Sequence, residues 1–158
     1  MSSAEREKWE QWPDLYVRLQ KDELGYPPKE WEQLKGEPTG QENVYRIKSI
    51  PFYARGIAFD DEVATETSPE GYSPVVAKVV KRSGFSTMRI SLSEKEDRNA
   101  IIQDFTRRGA FLEFNGRLVA VAIPRNVFDE VSDYICEEKD TARWDAEDGF
   151  LIVDDPNP

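Results

Sequence analysis

The sequence contains no histidine and a single cysteine, Cys136. Without histidine, the chain lacks Ser-His-Asp and Cys-His nucleophile systems, imidazole acid-base catalysis and every zinc site that needs an imidazole ligand. One cysteine forms neither an internal disulfide nor a thiolate cage for a metal. Most common enzyme mechanisms are therefore excluded, and we expect a protein that is not an enzyme and that uses no metal or cofactor.

Long apolar stretches are also missing. The sequence has no run of about 18 apolar residues, which a membrane-spanning helix would need, and residues 1–8 lack the apolar core of a signal peptide. We therefore expect a soluble, cytoplasmic protein with no membrane partner.

Negative charge is abundant and unevenly distributed. The 158 residues include 31 acids and 21 bases, for a net charge of -10. Residues 129–158 carry 11 acids and 2 bases, whereas residues 71–128 carry 5 acids and 10 bases. Nucleic acids and anionic lipids bind through lysine and arginine, so this balance disfavours nucleic acid and favours a basic protein as partner.

In the first half of the chain, apolar and polar residues alternate in short segments separated by turn residues, a pattern typical of β-strands. Strands are predicted over residues 15–19, 31–34, 44–50, 62–67 and 75–81. A charged helix over residues 3–11 is predicted to end at Pro13. This pattern predicts a β-rich unit over residues 14–84, built as a small barrel-like meander, after an extension of residues 1–13.

From Phe85 onward, strand-like and helix-like patterns follow one another. Residues 86–92 are predicted as a strand, and Ser93 with Glu96 as a capping box that opens a helix. The apolar face of this helix is predicted to contain Ile101, Ile102 and Phe105. A hairpin with a type I′ turn at Asn115-Gly116 is then predicted to join strands 111–114 and 118–123. The remaining predicted elements are a second helix capped by Asn126 and a last strand within residues 142–146 or 150–153.

The order of these elements is strand, helix, strand, strand, helix, strand. It is typical of the split βαβ, ferredoxin-like arrangement, in which two helices cover one face of a four-stranded antiparallel sheet. The sequence therefore predicts an α+β fold whose second unit spans residues 85–158.

Three segments carry a family resemblance. Residues 50–56 read Ile-Pro-Phe-Tyr-Ala-Arg-Gly, residues 61–63 read Asp-Glu-Val, and residues 80–89 read Val-Lys-Arg-Ser-Gly-Phe-Ser-Thr-Met-Arg. Pro-Phe followed at this separation by Ser-Gly-x-Ser-Thr-x-Arg resembles a bacterial family known as domain of unknown function 4265. Family members occur in bacterial toxin neighbourhoods, so the resemblance implies an immunity role. They often have histidine at the position of Phe85, and this chain lacks any chemistry of that residue.

One short segment combines hydroxyls with a guanidinium, a set that can hold a phosphate or a carboxylate. Its members are Ser83, Ser86, Thr87 and Arg89. The alternative interpretation is a turn that enters a strand, which the turn preferences of serine and glycine favour.

Two acidic clusters, residues 60–62 and 145–148, offer oxygen ligands, but the second lacks the ligand spacing of an EF-hand loop. We interpret both clusters as solvated loops, so no metal site is predicted.

The acidic carboxyl third contains the best candidates for partner binding. They are Tyr134, Glu137, Glu138, Asp140, Trp144, Asp145, Glu147 and Asp148. Separated charges accelerate encounter with a basic surface, and a desolvated tryptophan slows dissociation. The alternative is a solubilising helix face together with a Trp144 that belongs to the core.

Two functions of different classes remain. The favoured one is a non-catalytic immunity protein that binds a cognate toxin domain and blocks its active site without chemistry. The other is a small-ligand or RNA-binding module that uses the sheet of the split βαβ unit, where aromatic side chains stack on bases. Phe111 and Phe114 are predicted to face opposite ways, which weakens the second hypothesis.

Overall fold

The computed structural model describes residues 2–68, 71 and 73–155. Within these ranges, five strands form a first, mainly antiparallel sheet and four strands form a second, antiparallel sheet. The helices are α1 at Ser3–Gln11, α2 at Arg98–Arg107 and α3 at Phe128–Asp140. This mixed organisation, with a β-rich part before a sheet with helices, agrees with the predicted α+β class. None of the helices in the described ranges is long and apolar enough to cross a membrane.

The first sheet joins successive strands in antiparallel pairs. Its strands are β1 at Asp14–Arg18, β2 at Trp31–Pro38, β3 at Val44–Ile47, β4 at Glu62–Thr67 and β5 at Pro74–Lys81. β1 also pairs with β5, in parallel, through Tyr16 and Val75. Alternate residues such as Leu15 and Leu34 fill the interior, and a Cβ at Gly36 would lie 2.7 Å from the Leu15 side chain. Glycine is therefore needed at this position.

The second sheet has the strand order β7-β8-β6-β9, with every neighbouring pair antiparallel. Its strands are β6 at Ser86–Leu92, β7 at Phe111–Asn115, β8 at Leu118–Ile123 and β9 at Trp144–Phe150. β9 overlaps both of the ranges that the sequence suggested for a last strand, residues 142–146 and 150–153. The outermost strands are β7 and β9, so each has one edge without a strand neighbour in the sheet.

The two faces of the second sheet are both covered. On one face, α2 and α3 contribute Ile101, Phe105, Val131 and Ile135 to a core with the inward residues of β6 and β8. On the other face, Ala120 and Ala122 of β8 pack against Ile50, with Phe52, Phe59 and Phe85 around them. The predicted apolar face of α2 is correct for two of its three members, because Ile102 is exposed.

α2 begins later than the sequence predicted. Its N-cap is Asp97, whose side chain accepts a hydrogen bond from the backbone N–H of Asn99. Ser93 and Glu96 form a turn instead, and the Glu96 carboxylate accepts a hydrogen bond from Arg143 at 2.8 Å. The predicted capping box is therefore wrong, because its carboxylate has another partner.

Two further predicted termini are wrong. A 3-10 turn at Arg125–Val127, which follows Pro124, contains Asn126, and α3 starts at Phe128 without a side-chain cap from the described residues. In the β7-β8 hairpin, Asn115 pairs with Leu118, and the central turn residues are Gly116 and Arg117. Only Gly116 of these two has a positive φ, which is the pattern of a type II′ turn rather than type I′.

The predicted helix over residues 3–11 is confirmed as α1. A capping box between Ser2 and Glu5 begins the helix, and the chain is extended at Trp12, just before Pro13. The indole N–H of Trp9 donates to the carbonyl of Lys48 at 3.1 Å, which attaches α1 to the first sheet.

Candidate functional site

The loop of residues 50–59, which we call the linking loop, joins β3 to β4 and lies between the two sheets. Glu32 of β2 is only 8% exposed, and its carboxylate accepts three backbone hydrogen bonds from this loop. The donors are the N–H groups of Phe52 at 2.7 Å, Tyr53 at 3.0 Å and Ala54 at 2.8 Å. Hydrogen bonds to a carboxylate are about twice as strong as neutral ones, so the first sheet holds one side of the loop firmly.

Arg89 of β6 holds the same loop from the second sheet. Its guanidinium is 1% exposed and donates to the carbonyls of Phe52 and Ala54. Burial lowers the pKa of Arg89, while the nearby carboxylate of Glu147, 3.7 Å away, opposes this effect. A Cβ at Gly149 would lie 2.3 Å from Nη1 of Arg89, so a glycine leaves the space that the guanidinium occupies.

A second buried carboxylate fixes the end of the linking loop. Asp61 is fully buried and accepts hydrogen bonds from the N–H groups of Ala58 and Ser83, each at 2.9 Å, and from Arg82 at 3.0 Å. Arg82 also donates to the carbonyl of Gly56 at 2.7 Å. The segments that carry the family resemblance are therefore in direct contact, and the contacts join the two sheets.

The predicted anion-binding segment is used inside the protein. The Ser83 hydroxyl donates to the carbonyl of Phe59, and the Ser86 hydroxyl accepts from the N–H of Ile152. Thr87 and Arg89 are buried, and neither the Thr87 hydroxyl nor Nη1 of Arg89 has a hydrogen-bond partner among the residues that the structure describes. The contacts support the alternative interpretation, a turn that enters a strand.

Four of the eight predicted partner-binding residues are exposed. Glu137 and Asp140 lie on the exposed face of α3, and Asp145 and Asp148 are exposed on the neighbouring strand β9. Lys139 connects the two elements by donating to the carbonyl of Ala146 at 3.0 Å. Together with Asp129 and Asp133 of α3, these four residues form what we call the acidic surface.

The other four predicted residues have internal partners. Trp144 is 4% exposed, its indole N–H donates to the carbonyl of Ile135, and it belongs to the core, as the alternative interpretation held. The Tyr134 hydroxyl donates to Asp104 and accepts from Arg143, which also lies 3.7 Å from Glu138. Glu147 lies on the opposite face of the sheet, beside Arg89. Trp144 therefore offers no exposed ring as an anchor.

The family and the fold are shown by comparison with known proteins. Residues 32–146 match the model of a family described as "Domain of unknown function (DUF4265)". The chain belongs to this family. Its structure is similar to one titled "Novel crystal structure of a hypothetical protein from Neisseria gonorrhoeae", with a TM-score of 0.74 and 17% identity, covering 89% of this chain and 96% of that one. None of the curated proteins matches the chain.

The match to DUF4265 begins at Glu32, a residue that the sequence reasoning missed, as it missed Glu113. Both carboxylates hold the backbone of the linking loop. The sequence pattern could have identified Glu32, because Glu32, Leu34 and Gly36 are spaced two residues apart and therefore share the inward side of β2. A charged residue at an inward position is expected only where a specific partner compensates its burial.

Glu113 of β7 has a largely buried carboxyl group with a raised pKa. Its carboxylate accepts a hydrogen bond from the N–H of Ile50. The pKa of Glu113 is raised from 4.5 to about 7, mainly because the group is buried and also because of the charge of Glu32, while the hydrogen bond from Ile50 opposes the rise. Between these values the folded protein binds more protons than the unfolded chain, so stability is expected to fall as the pH rises through this range.

Glu113→Gln is expected to remove this pH dependence. At about pH 8 the variant should be more stable than the parent protein by about 3 kcal/mol, because the parent then buries a charged carboxylate. At about pH 4 the two should be equally stable. Urea unfolding at both pH values measures the difference, and parallel stability curves for the two proteins would contradict the assignment.

The geometry of the described residues also bears on the metal-binding and RNA-binding hypotheses. Within residues 2–68, 71 and 73–155, no group of three or more acidic or cysteine side chains is arranged to hold a metal ion. The sheet face that would bind RNA in a split βαβ unit is covered by the linking loop and by Phe85. Phe111 and Phe114 do face opposite sides, since Phe111 contacts Phe85 while Phe114 packs toward the helices.

Proposed function

We propose that this protein is a non-catalytic immunity protein, which binds a basic toxin domain through the acidic surface and blocks the active site of that domain. The observation that carries the proposal is the placement of six exposed acids on α3 and β9. Among the described residues, no ion pair involves Asp129, Asp133, Glu137, Asp140 or Asp148. The charges of these five residues therefore act outward, whereas Asp145 lies 3.9 Å from Nζ of Lys139.

A toxin that acts on nucleic acid or nucleotides has a positively charged site, because it must attract phosphate. An acidic surface is electrostatically complementary to that positively charged site and accelerates the encounter with it. The surface lies on α3, which Val131 and Ile135 fix to the core, and on β9, which pairs with β6. Little backbone ordering is therefore needed on binding, which favours affinity. For such a function, we expect the protein to act in the cytoplasm.

The finer description of the fold is also a proposal. We describe the first sheet as a small barrel-like meander, a description that the successive antiparallel pairs and the β1-β5 contact support. We describe the second unit as a ferredoxin-like split βαβ arrangement, which the order β7-β8-β6-β9 and the connections through α2 and α3 support.

Reversing charge on the acidic surface is expected to slow association with the partner. The variant carries lysine in place of Asp133, Glu137, Asp140 and Asp148. Association with the toxin domain encoded beside the gene should be at least about tenfold slower at low salt, and its salt dependence should weaken, because separated charges mainly steer encounter. Stopped-flow fluorescence at several salt concentrations measures both quantities.

A matched control has lysine in place of four exposed acids elsewhere, Glu7, Glu23, Glu42 and Glu66. It changes the net charge by the same amount, so a loss confined to the first variant assigns the effect to the acidic surface. Both variants should show the circular dichroism of the parent protein. If the first variant associates at the control's rate and with the control's salt dependence, the interface lies elsewhere.

A further inference from the structure

The outer strand β7 presents an unpaired edge. Asn115 and Leu118 flank the two-residue turn and form a hydrogen-bonded pair, and such pairs alternate along an antiparallel ladder. The N–H and C=O groups of Glu113 consequently face β8, whereas those of Leu112 and Phe114 face away from it. Among the described residues, none of the backbone hydrogen bonds outside the helices and sheets involves Leu112 or Phe114.

An open groove of about 780 Å³ follows this edge. One wall is formed by all of residues 109–114, which indicates that the groove runs along the edge of the strand and not over a single side chain. Ile102 of α2 lines the other wall. Two apolar side chains of the groove are exposed, since Ile102 is 37% and Phe111 is 54% exposed.

The groove carries positive charge in a protein whose net charge is -10. Arg6 of α1 and Arg98 of α2 line it, and both side chains are exposed. Arg98 lies over the ring of Phe114 at 4.3 Å, and neither arginine forms an ion pair within the described residues. Glu113 also lines the groove, but its carboxylate is bonded to the N–H of Ile50.

We infer that β7 binds an extended peptide segment of a partner protein, which carries both acidic and apolar residues, as an added strand. The peptide backbone pairs with the outward groups of Leu112 and Phe114, its apolar side chains contact Ile102 on the helix face of the sheet and Phe111 on the other face, and its carboxylates pair with Arg6 and Arg98. Main-chain hydrogen bonds supply affinity in such strand addition, and the side-chain contacts supply specificity. This inference is independent of the acidic surface, which lies at the opposite edge of the sheet.

A second copy of this chain fits the groove less well. Pairing β7 with β7 of another copy about a two-fold axis brings the arginines of both copies to the same contact, and like charges across an interface oppose association. An acidic peptide instead compensates Arg6 and Arg98. Charge complementarity therefore selects the peptide.

The test uses the whole protein and two dye-labelled synthetic peptides, one of alternating valine and glutamate and one of alternating valine and lysine. The first peptide should bind at least about tenfold more tightly than the second in fluorescence anisotropy. Replacing Arg6 and Arg98 with glutamate should weaken its binding by a similar factor. A matched variant, with glutamate in place of the exposed Lys95 and Arg125, should bind it like the parent protein.

Amide hydrogen exchange measured by NMR identifies the edge itself. The first peptide should slow exchange at Leu112 and Phe114 and leave Glu113, already paired with β8, unchanged. Absence of binding, equal binding of the two peptides, or binding without protection of Leu112 and Phe114 would each overturn the inference. Concentration-dependent dimerisation in sedimentation, with protection of both amides in the absence of peptide, would also overturn it and assign the edge to a second copy.

Discussion

Replacing Glu32 with alanine is expected to lower the free energy of unfolding by about 4 kcal/mol. The substitution leaves the N–H groups of Phe52, Tyr53 and Ala54 without their acceptor, and each buried unpaired group costs roughly 1–3 kcal/mol. The loss is a large fraction of the roughly 5–15 kcal/mol that stabilises a typical domain. Urea unfolding monitored by tryptophan fluorescence measures it.

Two controls accompany this variant. Glu32→Gln keeps one carbonyl oxygen as an acceptor, so its free energy of unfolding should fall less than that of the alanine variant. Glu30→Ala removes an exposed carboxylate next to the same strand, which forms an ion pair with Lys21, and should leave the free energy of unfolding close to that of the parent protein. If Glu32→Ala and Glu30→Ala are equally stable, the carboxylate of Glu32 does not hold the linking loop.

The secondary structure could be predicted from the sequence wherever the pattern repeats over a whole element. The strand over Glu62–Thr67 and the helix over Ser3–Gln11 were placed at their observed bounds, because alternation and a proline stop are local signals. The start of α2 was predicted wrongly for a non-local reason, which concerns Glu96. The start of α3 was predicted wrongly for a local reason, which concerns Asn126. Arg143 engages the Glu96 carboxylate from 47 residues away, and Pro124 draws Asn126 into a 3-10 turn.

The candidate site could be predicted only in part. Exposure of charged residues follows from the cost of burying charge, so the exposed acids of α3 and β9 were recognisable. The sequence does not tell which charges are paired inside, and Glu147 and Arg89 are an example, because their contact depends on the pairing of β6 with β9. Trp144 was ambiguous because an aromatic ring suits a core and an interface equally.

Replacing Arg89 with lysine is expected to lower the free energy of unfolding by about 3 kcal/mol. The planar guanidinium donates to two carbonyls at once, and a lysine ammonium lacks this fork geometry, so at least one of the carbonyls of Phe52 and Ala54 loses its donor. Arg55→Lys is the matched control, because Arg55 approaches the same carboxylate, Glu147, but its side chain is 71% exposed. The control should change stability by less than about 1 kcal/mol.

A double variant with Glu32→Gln and Arg89→Lys tests whether the two residues act on one element. Glu32 holds the N–H groups and Arg89 the carbonyls of the same stretch, Phe52 to Ala54. Once either anchor is weakened, the loop can move away and the other anchor contributes less. The double variant should therefore lose less stability than the two single losses together, by about 1–2 kcal/mol. Losses that add to within about 0.5 kcal/mol would mean that Glu32 and Arg89 stabilise the two sheets independently.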